Sequence, residues 1–552
     1  MFSKSSVLQN LPKLLTWKRS WHLAALILNG FVQAGAMVGI AMVMKTMIDG
    51  LTVTDAKQSI WPNAMIMVSA SFLIGWLKRR ERVDAETMGQ DYVADIRLNV
   101  FQHVSKLSAR ALGETRKGFV LLRFVNDLTA LRQWVTMGIA RLAVSGVVLI
   151  GAMSALTIMN PILGGLLFAL VGLGSISALF LGRSIDLTMR ESRKRRANIA
   201  ANLTEKLEHM LIVQAFAQRN NERRKVKRQT QSLKRAMIAR AGAIGTFRAM
   251  VYVVVGLALT VSVMVGTVLV KNDMATTGQI MAALGVLSMI TPNLFDFGRV
   301  YEYRKSYDIS LEKTENLLRN GPIIEPAIEP KSLKRVQGHL KFDNVSVSGA
   351  LNEFSAEALP GTCVLITGPN GSGKSTLLLL ALRLIEPESG RILLDGRDIH
   401  KVKTGQLRRS ISIASPTLPL LRGSIRSNIA YGSKTANEDD IQQAAARCGM
   451  DGLNSDSPYW LDSPVEEGGS NLSAGQRMRI ILARALLGNP SVLLLDEPDS
   501  HLDEDGIEVL NNIIREFEGT LLLASHNPAF LKHSKIRWHL DDGSVEFEEA
   551  AA

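Results

Sequence analysis

Six apolar stretches, each near the length of a bilayer crossing, punctuate the first part of the chain: Trp21–Met44, Ile60–Leu77, Val135–Met159, Ile162–Leu181, Ile244–Val270 and Gln279–Phe297. A spanning helix needs about 20 such residues. Ile60–Leu77 is short, and Gln279–Phe297 holds Pro292 and Asp296; breakers are tolerated where neighbouring helices satisfy the freed backbone groups. Two long polar stretches, 78–134 and 183–242, separate these runs. They have few breakers and place apolar residues at helical spacing among mixed charges. That pattern predicts helical rods continuing the spans beyond the bilayer. After Glu329 the pattern changes: short β-type runs alternate with helical ones, an α/β signature. Asn320-Gly321-Pro322 and Glu329-Pro330-Lys331 mark a linker between the two regions. The expected organisation is an N-terminal interfacial helix (1–20), an all-α six-span membrane domain (21–319), a linker (320–337) and an α/β P-loop domain (338–552).

Charge fixes the expected topology. Residues 1–330 hold 41 Lys+Arg against 22 Asp+Glu, and residues 331–552 hold 23 against 29. The basic residues flank apolar runs rather than clustering on a folded domain, which argues for a membrane and against nucleic acid. The polar stretch 78–134 carries 11 Lys+Arg and 183–242 carries 16, whereas the other connections are short and carry few. By the positive-inside rule, both termini and both long stretches face the cytosol. Residues 1–48 contain no acid; an interfacial helix with a basic flank is the favoured reading over an organellar transit peptide, and the first apolar run is too long for a cleaved signal peptide. With 552 residues, 47% hydrophobic and 21% charged, the chain is neither disordered nor a single domain. Two cysteines far apart, Cys363 and Cys448, exclude a disulfide scaffold and a zinc ribbon.

Three apolar runs in the C-terminal region end in chemistry. Cys363–Thr367 leads into Gly368-Pro369-Asn370-Gly371-Ser372-Gly373-Lys374-Ser375-Thr376, which opens a helical run, Leu377–Leu384. This is the P-loop pattern: backbone N–H groups close around phosphates, Lys374 neutralises the β/γ phosphates, and Ser375 offers a hydroxyl to magnesium. Val492–Leu495 delivers Asp496 and Glu497, for the metal's water shell and for a general base acting on an attacking water. Thr520–Ala524 delivers Ser525-His526, with His526 read as a γ-phosphate contact.

Leu472-Ser473-Ala474-Gly475-Gln476 lies between the P-loop and the acid pair. With these residues the chain resembles an ATP-binding cassette (ABC) transporter, and the pentapeptide is similar to the family's signature, with Ala474 where a second glycine is usual. Ser500-His501-Leu502-Asp503 resembles the D-loop, and Glu467-Gly468-Gly469 the stretch that meets the membrane domain in exporters. Gly118, Arg123, Asn126 and Asp127 resemble the first intracellular loop of six-helix exporters. Glu205, Val213, Gln214, Ala215, Phe216 and Gln218 resemble the second. The resemblance covers essentially the whole chain and implies a half-transporter that dimerises. Ser473 and Gly475 of one cassette, with the following helix's positive N-terminal end, would then close over the nucleotide on the other's P-loop. It also implies ATP and magnesium as cofactors.

Two positions depart from the family pattern. Gly349 stands where an aromatic ring usually stacks on adenine, and Phe354 is the candidate replacement. Pro416 stands at the Q-loop glutamine, which in the family reaches metal and water and senses the membrane domain. A proline side chain offers neither donor nor acceptor. Ser415 or Thr417 are candidates for partial replacement, and Gln406 lies too early.

The expected function is ATP-driven export or flipping of a substrate across the cytoplasmic (inner) membrane, by a dimer of half-transporters, a homodimer being favoured. The alternatives are one half of a heterodimer, or a slow or non-hydrolytic ATP-gated channel or sensor. A weakly charged pathway fits amphipathic or lipid-like cargo. Within the spans, Arg141 and Arg248 read as residues snorkelling to headgroups, Asp296 as a capping or cargo contact, and Gln33 and Asn293 as cavity-lining candidates.

Overall fold

The computed structural model describes residues 11–52, 60–114, 127–319, 321–324, 331–333, 335–433, 435–450, 459–534, 536–541 and 543–549. The chain divides into two compact units, one of residues 1–102 and 117–320, the other of 103–116 and 321–552.

The first unit is built from long helices: α1 (Trp17–Thr52), α2 (Ile60–Val104), α4 (Leu128–Gln133), α5 (Ala140–Met159), α6 (Pro161–Glu208), α7 (Met210–Ala215), α8 (Arg219–Lys271) and α9 (Thr277–Arg319). A short helix α3 (Ala109–Glu114) belongs to the second unit. Trp17–Ser20 continue directly into α1, and residues 1–10 lie outside the described residues. Among the described residues, five helical segments are long and apolar enough to cross a membrane, and α6 begins with a shorter apolar stretch, Pro161–Gly174. Many large apolar side chains remain exposed on these helices, Phe72 and Trp61 among them. Exposed apolar surface on this scale suits hydrocarbon rather than water.

The helices α6 and α8 carry their polar halves as one antiparallel hairpin closed by α7. The 183–242 stretch is therefore helical, as its composition predicts. A π-helical turn, Trp134–Ile139, joins α4 to α5. Asn160 caps α6 by accepting from Leu163 N–H at 3.0 Å, with Pro161 at the first helical position. The same amide donates to the Met274 carbonyl at 3.1 Å. Asp49 caps the start of α9 through the Gly278 N–H at 2.8 Å.

The polar residues inside the spans differ from expectation. Arg141 pairs with Asp296 at 2.7 Å rather than snorkelling, and one turn on Ser145 donates to Asn293 at 3.3 Å. Gln33 is buried on α1, its amide donating to Asn29 and to Glu81 of α2 while its Oε1 has no hydrogen-bond partner. The physical reason for the Arg141–Asp296 pair is that a polar group leaving water is retained where another polar group satisfies it. Gly118, Arg123 and Asn126 lie outside the described residues; Asp127 accepts from Ser310 at 3.4 Å.

The second unit is a P-loop α/β domain. Its main sheet runs β12-β11-β3-β10-β9-β6: Ser544–Glu549, Ile536–Asp541, Cys363–Thr367, Thr520–Ala524, Val492–Asp496 and Ile411–Ala414. From β11 to β6 every neighbouring pair is parallel. Successive residues of β3 face opposite cores: Val364 and Ile366 pack into one cluster, Leu365 into the other. Burial on both faces explains why these strands read as unbroken apolar runs. A second sheet, β2-β1-β4-β5, pairs β1 (Leu340–Val347) with β2 (Leu351–Ala358) and with β4 (Ser389–Leu394), β4 being followed by β5 (Arg397–Asp398). A short pair joins β7 (Gly423–Ser424) to β8 (Pro464–Val465). The described α-helices of this unit after α3 are α10 (Lys374–Ala381), α11 (Thr404–Ser410), α12 (Ile425–Ile429), α13 (Glu438–Arg447), α14 (Ala474–Leu486) and α15 (Glu504–Glu516). Helix α3 is anchored in this unit: the Ala109 N–H donates to the Leu384 carbonyl at 2.8 Å and Arg110 to the Ser348 carbonyl at 3.2 Å.

Candidate nucleotide site

A parallel sheet delivers all its strand ends to one edge, and loops leaving that edge form the binding crevice. Here β10 lies between β3 and β9, so the loops after the three strands converge. The P-loop leaves β3 and enters α10 (Lys374–Ala381). Gly373 sits at its N-cap with φ +100°, where an added Cβ would lie 2.5 Å from the Ala350 carbonyl oxygen; only glycine takes that conformation and that approach. Gly368 and Gly371 also have positive φ. Pro369, Asn370 and Gly371 line the loop's open side, while Ser372 is buried and its Oγ has no hydrogen-bond partner. A phosphate oxygen would satisfy that atom, and the residues present fit a triphosphate.

Lys374 is only 6% exposed. Its Nζ donates across the loop to the carbonyls of Gly368 (2.8 Å) and Pro369 (3.0 Å). Burial lowers its ammonium pKa, and the carboxylates of Glu497 and Asp496 pull in the other direction. Ser375 Oγ donates to Asp496 Oδ1 at 2.9 Å. Thr376 follows on the same helix. A hydroxyl and a buried carboxylate meeting beside a phosphate cradle are an oxygen donor set suited to magnesium.

Glu497 leaves β9 in the left-handed region, at φ +48°. That conformation costs a non-glycine residue about 1–2 kcal/mol and is held by its own N–H donating to Ala524 O (2.8 Å) and by Ser500 Oγ donating to its carbonyl (2.9 Å). Strain of this kind marks functional sites. His526, after β10, brings Nε2 to 3.9 Å from Glu497 Oε1, both side chains half exposed. The sheet thus gathers Lys374, Ser375, Asp496, Glu497 and His526.

The signature residues stand elsewhere. Ser473 caps α14 (Ala474–Leu486) in a reciprocal box with Gln476: the Gln476 N–H donates to Ser473 Oγ, and the Ser473 N–H to Gln476 Oε1. Leu472 anchors this turn on one core, Ala474 opens the helix, and Gly475 lies against the carbonyl of His501 in the D-loop. Among the described residues no hydrogen bond or ion pair joins these five residues to the P-loop of the same chain. Asp503 caps α15 (Glu504–Glu516) through the Gly506 N–H at 2.9 Å, a bond that lowers its carboxyl pKa, helped by Arg479.

The two departures resolve differently. Gly349 lies in the β1–β2 turn at φ +75°, and the preceding Ser348 is tied to Glu388 through both its N–H and its hydroxyl. A cavity of about 560 Å³ joins this turn to the P-loop; Asn352, Asp541 and Gly543 line it with no ring. Phe354 does not replace the missing aromatic: it is buried against Phe342 and Trp538, at centroid distances of 5.5 and 5.8 Å. Asn352 and Asp541 escaped sequence reasoning because no motif marks the β11–β12 hairpin; the Asn352 N–H donating to the Gly543 carbonyl brings it there. At the other departure, Ser415 and Thr417 do reach the site, Ser415 Oγ donating to Asp496 Oδ2 at 3.0 Å. Gln406 is remote, bound to Ser332 and Leu333. Asp499 was also missed; it accepts from Ser525 at 2.9 Å and so links the loops after β9 and β10.

Comparison with known proteins agrees with this geometry. Residues 23–292 match the ABC transporter transmembrane region and residues 351–500 the ABC transporter cassette. An ATP-dependent lipid A-core flippase of Desulfotalea psychrophila is 28% identical over 445 residues, covering 80% of this chain and 78% of the flippase. An ABC multidrug transporter of Aspergillus fumigatus is 27% identical over 465 residues, 81% of this chain and 58% of that one. The fold matches the structure of a bacterial Atm1-family ABC exporter with ATP bound, with TM-score 0.83 and 23% identity, covering 96% of this chain and 95% of the other. A multi-pass helical unit and an ATP-hydrolysing cassette are thus fused in one polypeptide, and the chain belongs to the ABC transporters, as an exporter-type half-transporter.

Proposed function

We propose that two copies of this chain form a homodimer that exports or flips an amphipathic, lipid-like substrate from the cytosolic side of the inner membrane, with both termini and the cassettes (338–552) in the cytosol. One observation carries the dimer: Ser473 is exposed at the capped start of the signature helix, the P-loop is open at another place, and among the described residues no bond joins residues 472–476 to the P-loop within one chain. A P-loop of one copy and a signature of the other complete two sites.

In each site the P-loop N–H groups from Asn370 to Thr376 cradle the phosphates, and Lys374 swings from the Gly368 and Pro369 carbonyls to the β/γ oxygens. Ser375 would hold magnesium through an oxygen lone pair while its hydroxyl hydrogen still donates to Asp496. Magnesium, when bound, neutralises charge on the phosphates. Glu497 accepts the proton of the attacking water, and His526 contacts the γ-phosphate from the neighbouring loop. Ser473 and Gly475 of the other copy close the site, and Ser500 and Asp503 hold the D-loop beside it.

The cargo reading rests on the apolar spans, whose described charges are few, with Arg141 paired to Asp296. It is supported by the lipid A-core and multidrug relatives. The test is ATPase activity of the chain purified alone in lipid, beside Glu497→Gln, with the oligomeric mass recorded on the same sample. Turnover from a dimer that depends on Glu497 is the expected result. A monomer, or an inert dimer that binds ATP, would replace the homodimer with a heterodimer or a non-hydrolytic role.

A further inference from the structure

We infer that Ser415 is a positioning residue for Asp496 and that the Ser415-Pro416-Thr417 turn is a fixed hydroxyl relay standing where the family's mobile glutamine is absent. The inference rests on the nucleotide-site reading above and adds to it a residue that acts through another.

The placement follows from the sheet. Strand β6 pairs with β9 in the register Ala414–Leu495, so the next residues, Ser415 and Asp496, leave the sheet side by side. Ser415 is 1% exposed. Its Oγ lies 3.0 Å from Asp496 Oδ2, 2.8 Å from Thr417 Oγ1 and 3.3 Å from the Thr417 N–H.

Proton counting sets the direction of every bond. An ionised carboxylate only accepts, so the single Ser415 proton goes to Asp496. Thr417 must then donate its hydroxyl to Ser415, and its N–H points to the same oxygen. Both lone pairs of Ser415 are filled, so this hydroxyl is neither a metal ligand nor a water contact. Its role is to hold Oδ2, while Ser375 holds Oδ1. Asp496 is thereby fixed in plane before any cation arrives.

Proline fits this arrangement. The Leu418 N–H donates to the Ser415 carbonyl at 3.0 Å, closing a four-residue turn with Pro416 at its second position, where a fixed φ is favourable. Arg484, on α14, braces the next residue by donating to the Leu418 carbonyl at 2.8 Å. The turn places Thr417 over Ser415 with no long side chain that has to swing.

The experiment measures binding of a fluorescent ATP analogue to the full-length chain in lipid, in the Glu497→Gln background, as magnesium is titrated. Outer-shell partners of metal ligands are worth roughly 10–100-fold in metal affinity. Ser415→Ala is therefore expected to raise the half-saturating magnesium concentration by roughly 10–100-fold, with affinity for the analogue in a chelator unchanged. Ser415→Thr, which keeps the hydroxyl, should stay near the parent. Thr417→Val, which keeps the backbone donor, should shift in the same direction by less. Unchanged magnesium dependence in Ser415→Ala, with Lys374→Ala losing the analogue, overturns the relay and leaves the site reading intact. If Lys374→Ala also binds like the parent, the site reading itself falls. Should Ser415→Ala fail to fold, Thr417→Val decides: a shift supports the relay, and no shift overturns it.

Discussion

At the phosphate end of the cassette, Lys374, Asp496 and Ser415 are buried: Lys374 donates within the P-loop at 2.8 and 3.0 Å, and Asp496 accepts from Ser375 at 2.9 Å and from Ser415 at 3.0 Å. At the base end, Gly349, Asn352 and Asp541 border open space without a ring. The chain has invested its rigid, charged contacts where every nucleoside triphosphate is alike and very little where they differ. Preorganised electrostatics act on charge, and the base carries none. The comparison therefore separates affinity and chemistry, expected from the phosphate end, from base selection, for which this cavity provides few contacts.

The largest expected effect breaks the phosphate end. Glu497→Gln keeps the size of the side chain and removes its basicity. A positioned general base contributes about 10²–10⁴-fold, so ATPase turnover measured in lipid should fall by that order while the analogue still binds. Turnover at the parent rate would remove Glu497 from the role. Lys374→Ala comes next. Hydrogen bonds to charged groups are worth about 1.5–3 kcal/mol each, and two phosphate contacts put the loss of affinity at about 10²–10⁴-fold. Fluorescent-analogue binding reads this directly, and unaltered affinity would remove Lys374 from the phosphates.

A third substitution sharpens the contrast from the core side. Phe354 is buried among Phe342 and Trp538, so Phe354→Ala should cost the cassette about 3–5 kcal/mol of stability. The ratio of ATP to GTP affinity should not move, because the ring faces the core. A change in that ratio at constant phosphate affinity would mean that Phe354 reaches the base.

How much of this was legible in the sequence follows from the physics of each feature. The strands ending at Thr367, Asp496 and Ala524 could be read because parallel strands buried on both faces appear as continuous apolar runs, and the chemistry follows them immediately in the chain. The helices of 183–242 were legible for the same kind of reason, through local periodicity, whereas 78–134, also read as helix throughout, breaks between Val104 and Ala109 and lies partly outside the described residues. Contacts set by pairing order were not. Nothing local says that β6 lies beside β9, so the Ser415–Asp496 bond needed the sheet. Arg141 and Asp296 lie 155 residues apart, and each read alone suggests a headgroup or a cap. The grouping of residues 103–116 with the cassette had no compositional mark at all, since α3 reads like the rest of its polar stretch.

The smallest effect is the most discriminating. Gly349→Tyr restores the residue type that the family pattern uses for stacking, and base–aromatic stacking is worth roughly 1–3 kcal/mol. Space is no obstacle, since a Cβ at Gly349 meets nothing within 4 Å. The backbone is one: φ is +75°, and a left-handed conformation costs a side-chain-bearing residue about 1–2 kcal/mol. The turn cannot relax freely, because Glu388 grips Ser348 by two bonds. Gain and strain therefore nearly cancel, and ATP affinity should rise by no more than a few-fold. Releasing the grip with Glu388→Ala in the same chain should let the turn adopt a negative φ and bring out the stacking gain as preference for ATP over GTP. If Gly349→Tyr alone raises that preference a hundredfold, the turn is softer than its bonds imply. If the double variant shows no preference, the base does not bind beside Gly349, and the cavity's open end serves another part of the nucleotide.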